Sequence, residues 1–195
     1  MATPAVVHLI GYPASGKLTV ANALVYAAAE RGQTFVRLDN HLTGDVILSV
    51  VDRSLNPIPR AVWDRVEEVR EVMYQSIVEL SPPDWSFVVT NVVRANDPIE
   101  AKTVERVHQL AGERGCRHLA VSVRCDRDEV LSRVTSPDRS SRHKWTDPDG
   151  VARYMTETQM MDLSAYDTLD LDTTSQTPEQ SANAILTHLD LTGGV

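Results

Sequence analysis

The 195-residue chain carries a formal net charge of -8 and is 42% hydrophobic, with no domain linker, repeat or low-complexity tract. That length suits a single α/β domain with a sizeable core and is short for two. The acidic balance argues against a nucleic-acid backbone as the main partner, and no run approaches the ~18 continuous apolar residues of a membrane span. No basic stretch leading into an apolar run and cleavage site opens the chain, so a cytoplasmic protein is expected. Cys116 and Cys125 flank one predicted strand, too far apart along it to bridge and without metal-ligand spacing, as suits a reducing compartment.

Residues 6–10, Val-Val-His-Leu-Ile, form the short aliphatic run of a buried parallel strand. Residues 11–19, Gly-Tyr-Pro-Ala-Ser-Gly-Lys-Leu-Thr, follow, and residues 19–31 are Ala- and Leu-rich and predict a helix. A second strand at 34–38 ends in Asp39, Asn40 and His41. A short helix is expected at 42–51, an irregular stretch at 53–59, and one long amphipathic helix at 60–80 with Val62, Val66, Val69, Met73, Ile77 and Leu80 on its apolar face. Ser81-Pro82-Pro83 ends that helix, and 86–90 reads as a third strand. Asp97-Pro98 supplies a cap and a first-turn proline for a helix running to about Gly115.

The fourth strand is expected at 118–123, and a helix at 126–134 with Asp126 as its cap. Residues 135–147 read as a polar loop carrying Arg139, Arg142, His143 and Lys144. A helix over about 148–161 with Asp147 at its cap, a strand at 168–171 and a final helix at about 178–189 complete the chain. Trp63 and Trp85 are expected to be core or half-buried. Strands alternating with helices predict a five-stranded parallel sheet covered on both faces.

The stretch with the clearest chemistry is the G-x-x-x-x-G-K pattern of Gly11 to Lys17, with its hydroxyl residue, Thr19, one place later than usual. Strand, glycine loop and helix follow one another in the order a phosphate site needs. Gly11 and Gly16 let the backbone turn its N–H groups inward, and the helix N-terminus adds partial positive charge. Lys17 supplies a cation for the β- and γ-phosphates. The sequence holds three lysines, Lys17, Lys102 and Lys144, which makes a chance lysine after Gly16 a poor explanation. Gly11, Pro13, Ala14, Ser15, Gly16, Lys17, Leu18 and Thr19 are therefore predicted to bind nucleotide.

Asp39 stands at a strand's C-terminal edge, where open parallel sheets bind ligands. Beside a triphosphate such a carboxylate serves as the acceptor's base or holds a magnesium-bound water; its plainer reading is a cap for the next helix. His41 either shares the base role or is structural.

These features resemble the small P-loop kinases: the nucleoside monophosphate kinase, shikimate kinase, gluconate kinase and chloramphenicol phosphotransferase group. Gly16-Lys17-Leu18-Thr19 is similar to the G-K-G-T ending of monophosphate kinases, and Thr90-Asn91-Val92-Val93-Arg94 sits where they carry D-G-F-P-R. The resemblance implies a three-layer P-loop NTPase fold with strand order 2-3-1-4-5 and a small lid at about 135–147. It implies ATP and Mg²⁺, with Thr19 and Asp39 as candidate metal residues. Arg94 would bind the acceptor or the transferred phosphate, or else form a surface ion pair. Arg133 would stack on adenine or pair with a nearby carboxylate, and Thr174 would belong to the base-side loop. Arg139 and Arg142 would close over the phosphates or form a solvated loop. The segment 42–82, with Arg53 and Trp63, would wall the acceptor.

Three departures shape the reading. Thr90 replaces the magnesium-side aspartate of monophosphate kinases, Pro137 replaces the second lid-helix arginine, and Leu18 replaces the small or hydroxyl residue after the lysine. They favour an ATP-dependent phosphotransferase acting on a hydroxyl of a small metabolite or hydroxylated antibiotic. The alternatives are a nucleoside or nucleoside monophosphate kinase and a catalytically silent nucleotide-binding regulatory protein; a polynucleotide kinase is disfavoured by charge. Monomer and homodimer are both ordinary for this architecture.

Overall fold

Every strand pair in the molecule is parallel, because each strand leads into a helix that crosses back over the sheet. The computed structural model describes residues 3–52, 55, 57–140 and 144–192. The strands are β1 (Ala5–Ile10), β2 (Phe35–Asp39), β3 (Ser86–Asn91), β4 (Arg117–Arg124) and β5 (Thr168–Asp172), in the order β2-β3-β1-β4-β5. The helices are α1 (Lys17–Glu30), α2 (His41–Leu48), α3 (Arg60–Leu80), α4 (Pro98–Glu113), α5 (Arg127–Val134), α6 (Pro137–Ser140), α7 (Pro148–Glu157) and α8 (Pro178–Thr192). The expected strand order and element succession are those observed.

Alternation along the strands divides the core into two layers. Val7, Leu9, Val88 and Val121 pack with Leu24 of α1 and Ile185 of α8. Val6, Phe87 and Val89 pack with Tyr74 and Ile77 of α3 and with Val107 and Leu110 of α4. Central β1 and β3 are buried at every position, whereas the edge strands β2 and β5 are not, as a sheet covered on both faces requires.

Four local expectations need correction. The helix expected to run to 161 stops at Glu157, because residues 159–161 take backbone partners across the chain: Ala95 N–H donates to Gln159 O at 2.8 Å and Met161 N–H to Val93 O at 3.0 Å. The polar loop contains the short helix α6, which opens on Pro137, a residue suited to a first helical position. Asp126 precedes α5 without capping it by its side chain; its own N–H instead donates to Thr174 Oγ1 at 2.9 Å. Trp63 is 42% exposed and Leu80 78% exposed, because α3 buries Val66, Tyr74 and Ile77 instead. Asp97 and Asp147 cap α4 and α7 as expected. Both cysteines are free thiols. Arg53, Arg142 and His143 lie outside the described residues. Among the described residues no helix is long and apolar enough to cross a membrane.

Candidate functional site

The C-terminal ends of the strands meet around the turn from β1 to α1. Ala14 (φ 64°) and Gly16 (φ 90°) both adopt left-handed backbone, the conformation that gathers successive N–H groups into an anion-binding nest. Gly11 is required by space: a Cβ there would lie 2.2 Å from the Val123 carbonyl oxygen and 2.9 Å from Ser15 Oγ. The loop is held from outside by Thr173, at the end of β5. Its Oγ1 lies 2.8 Å from the Ser15 carbonyl and 3.0 Å from the Arg124 carbonyl, one hydroxyl proton serving two acceptors.

Lys17 Nζ donates to the carbonyls of Gly11 (2.8 Å) and Tyr12 (2.7 Å). Burial pulls its pKa down to about 7, helped by the positive charges of Lys144 and Arg139 and opposed by Asp39. A lysine so destabilised as a cation marks a place short of negative charge, which an anionic ligand would supply.

In front of the loop lies a cavity of about 550 Å³. Pro13, Ala14, Gly16, Lys17, Leu18 and Thr19 form one wall, and Asp39, Asn40, His41, Thr90 and Val92 another. Arg133, Arg139, Lys144, Trp145, Thr173 and Gln176 close the rest. In a chain of net charge -8, four Lys and Arg side chains thus share one cavity with a single carboxylate among the described residues.

Asp39 is the last residue of β2. It lines the cavity, and its Oδ1 accepts from the His41 N–H at 3.2 Å at the start of α2 and from Thr90 Oγ1 at 3.4 Å. His41 lines the same wall, with Nδ1 4.0 Å from Asp45 Oδ1. Arg133 also does two things: Nε donates to Glu129 at 2.8 Å and Nη2 to the Thr173 carbonyl at 2.8 Å, while the side chain borders the cavity. Arg139 spans the Trp145 carbonyl with Nε (3.2 Å) and Nη2 (2.8 Å).

Some expected residues stand elsewhere. Arg94 does not line the cavity; its guanidinium pairs with Asp97 and, at 2.7 Å, with Glu100, and these partners raise its pKa. Gly11 and Ser15 are buried and do not line the cavity. Thr174 does not line the cavity and its Oγ1 accepts from the Asp126 N–H, whereas Thr173, one residue earlier, lines the cavity.

The donor chemistry suits a nucleotide with magnesium. Thr19, Asp39 and Thr90 present oxygen to the cavity, and Ser15 Oγ is buried with no hydrogen-bond partner among the described residues. Hard oxygen donors of this kind fit Mg²⁺. Among the described residues no cluster of three His, Cys, Asp or Glu side chains could hold a metal. The ion would therefore depend on Asp39, hydroxyls, waters and phosphates together.

Lys144, Trp145, Thr173 and Thr90 are cavity residues that sequence reasoning did not select. For Lys144 a signal was present, since the scarcity of lysine that singled out Lys17 applies equally to it. Thr173 closes a strand's C-terminal end, the edge at which Asp39 was found.

A family model described as chloramphenicol phosphotransferase-like protein matches residues 4–190. No curated protein matches the chain. A solved structure from Chloroflexus aurantiacus aligns over 98% of both chains with TM-score 0.66 at 17% identity. A sugar kinase from Janibacter sp. aligns over 98% of this chain and 96% of its own, with TM-score 0.59 at 20% identity. A gluconokinase from Sinorhizobium meliloti aligns over 99% and 95%, with TM-score 0.59 at 15% identity. At these identities the likeness establishes the fold, that of the P-loop kinases.

Proposed function

This chain belongs to the chloramphenicol phosphotransferase-like family, and from that premise we propose that it transfers the γ-phosphoryl group of Mg·ATP to a hydroxyl of a small metabolite or hydroxylated antibiotic. The observation that carries the proposal is the convergence of Lys17, Arg133, Arg139, Lys144 and Asp39 on one cavity beside a glycine loop. Phosphoryl transfer asks a protein mainly for positioning and charge stabilisation, and these residues supply both.

Bound Mg·ATP supplies the transferable phosphoryl group. Lys17 and the amides of residues 13–17 would hold β- and γ-phosphate oxygens, and Thr19 would add a hydroxyl. Arg133 holds the base-side wall through Thr173, and Arg139 and Lys144 face the charge that grows on the transferred group. In the transfer, the acceptor oxygen forms a bond to γ-phosphorus, the bond from γ-phosphorus to the β–γ bridging oxygen breaks, and ADP leaves with that electron pair. The acceptor's proton passes to Asp39 or to His41, which stand at the same edge. The engagement of Arg94 with Asp97 and Glu100 leaves it poorly placed to grip an acceptor phosphate, which favours an uncharged hydroxyl acceptor over a nucleoside monophosphate.

The test is ADP release from Mg·ATP with pooled sugars, sugar acids, shikimate, nucleosides, nucleoside monophosphates and hydroxylated antibiotics. The Lys17→Ala protein is the blank. Turnover above the blank, with one acceptor gaining the mass of a phosphoryl group, is the expected result. ATP binding with no ADP release from any pool would favour a silent nucleotide-binding protein instead.

A further inference from the structure

Tyr12 fills a position that the G-x-x-x-x-G-K pattern leaves open. Its carbonyl accepts from Lys17 Nζ at 2.7 Å and from the Ser15 N–H at 3.2 Å. Its side chain reaches the opposite way. The phenol donates to the Thr158 carbonyl at 2.5 Å, just past the end of α7. The ring meets Tyr154 of α7 edge-on at 6.3 Å, and Tyr154 meets Trp145 at 5.7 Å. The depth of Trp145 is set by Gly150, where a Cβ would lie 2.8 Å from the indole. The Trp145 carbonyl is the acceptor that Arg139 spans. Ala14, two residues on, packs with Val151 of α7 and with Val130 and Val134 of α5. One loop residue therefore carries the nucleotide-facing lysine on its carbonyl and α7 on its ring.

We infer that Tyr12 is a positioning residue that couples occupancy of the phosphate loop to the placement of α7 and the Trp145 wall of the cavity. The inference rests on the nucleotide reading given above. An anion entering the loop competes with the Tyr12 carbonyl for Lys17 Nζ, so the residue 12–13 peptide loses its charged donor. The phenol and ring keep that residue fastened to α7, and any resettling of the peptide is passed to the helix. A residue that served packing alone would hold α7 equally with and without ligand.

Amide hydrogen exchange on the full chain, with and without Mg·ATP, separates the two. In the wild type, ATP slows exchange in the first turn of α1 and also in α7, by about ten-fold or more. Tyr12→Phe keeps the ring and removes the phenol donor. Its α1 protection by ATP persists, while exchange in α7 stays within about two-fold of the ligand-free rate. Tyr154→Leu, which breaks the ring contact from the other side, gives the same pattern and carries the test if Tyr12→Phe does not fold. Full ATP-induced protection of α7 in both variants overturns the inference, as does wild-type protection confined to α1. Absence of α1 protection in the wild type would instead remove the nucleotide reading, and the coupling with it.

Discussion

The Thr173 hydroxyl, 2.8 Å from the Ser15 carbonyl, fastens the end of β5 to the crown of the phosphate loop across 158 residues of sequence. Thr173→Val keeps the shape and removes the donor, leaving two carbonyls without it. The expected loss is about 1–2 kcal/mol of stability together with weaker ATP binding. Thr173→Ser restores both. Urea midpoints and calorimetric affinities check this; a valine variant matching wild type in both would show the contact to be passive.

Lys17 gives a pH signature of definite sign. Its folded pKa is lowered to about 7 from an ordinary 10.5, so between these values the unfolded chain binds more protons. The cost of keeping this cation buried is full at and below pH 7 and fades as pH rises towards 10.5. Lys17→Met should therefore gain stability over wild type at pH 7 and lose that advantage near pH 10. ATP restores the charged form, so binding at pH 8 takes up a proton. Calorimetry in buffers of different ionisation heat reads that uptake, which the methionine variant should lack.

Asp39→Asn retains an oxygen for the His41 N–H and loses the negative charge. The melting temperature should stay close to wild type, while turnover of the identified acceptor falls by about 100-fold or more. Unchanged kcat would transfer the base role to His41.

His8 is fully buried in β1, with Nε2 2.9 Å from Asn91 Oδ1 and Nδ1 without a hydrogen-bond partner among the described residues. Burial, with His118 nearby, lowers its pKa to about 3 from 6.5. Between those values the unfolded state binds the extra proton, so stability falls as pH drops from 6.5 towards 3. His118, lowered to about 4 by burial and His108, adds to the same trend. His8→Gln should flatten the dependence of unfolding free energy by up to about 1.4 kcal/mol per pH unit in this window, read from denaturant titrations at pH 4 to 7.

The strands and the loop were legible because buried parallel strands are short aliphatic runs and a phosphate loop has a fixed spelling, whereas the sheet order came from the resemblance to P-loop kinases. Asp39 was marked as a candidate by its place at a strand end, and it lines the cavity. For Arg94 the sequence left a ligand role and an ion pair both open, and Asp97, the cap of α4, together with Glu100 in its first turn engages it in the second way. Thr173 and Thr174 are chemically identical, and only the strand's alternation, whose last residue cannot be known to one position, decides which faces the loop. The wall formed by Trp145 depends on Tyr154 and Gly150 of α7, contacts that no local pattern records.

The two carbonyls that receive Lys17 Nζ are satisfied equally by its ammonium and by its neutral amine. With a pKa near 7, this amine is a competent nucleophile in neutral buffer. If the cavity holds an adenine nucleotide as proposed, an acyl phosphate borne on one would be delivered to this amine, which takes the acyl group as the phosphate leaves. Selective acylation of one amine, with competition by free ATP, would turn the resting loop into a handle for covalent inhibitors and for profiling occupancy in whole lysates.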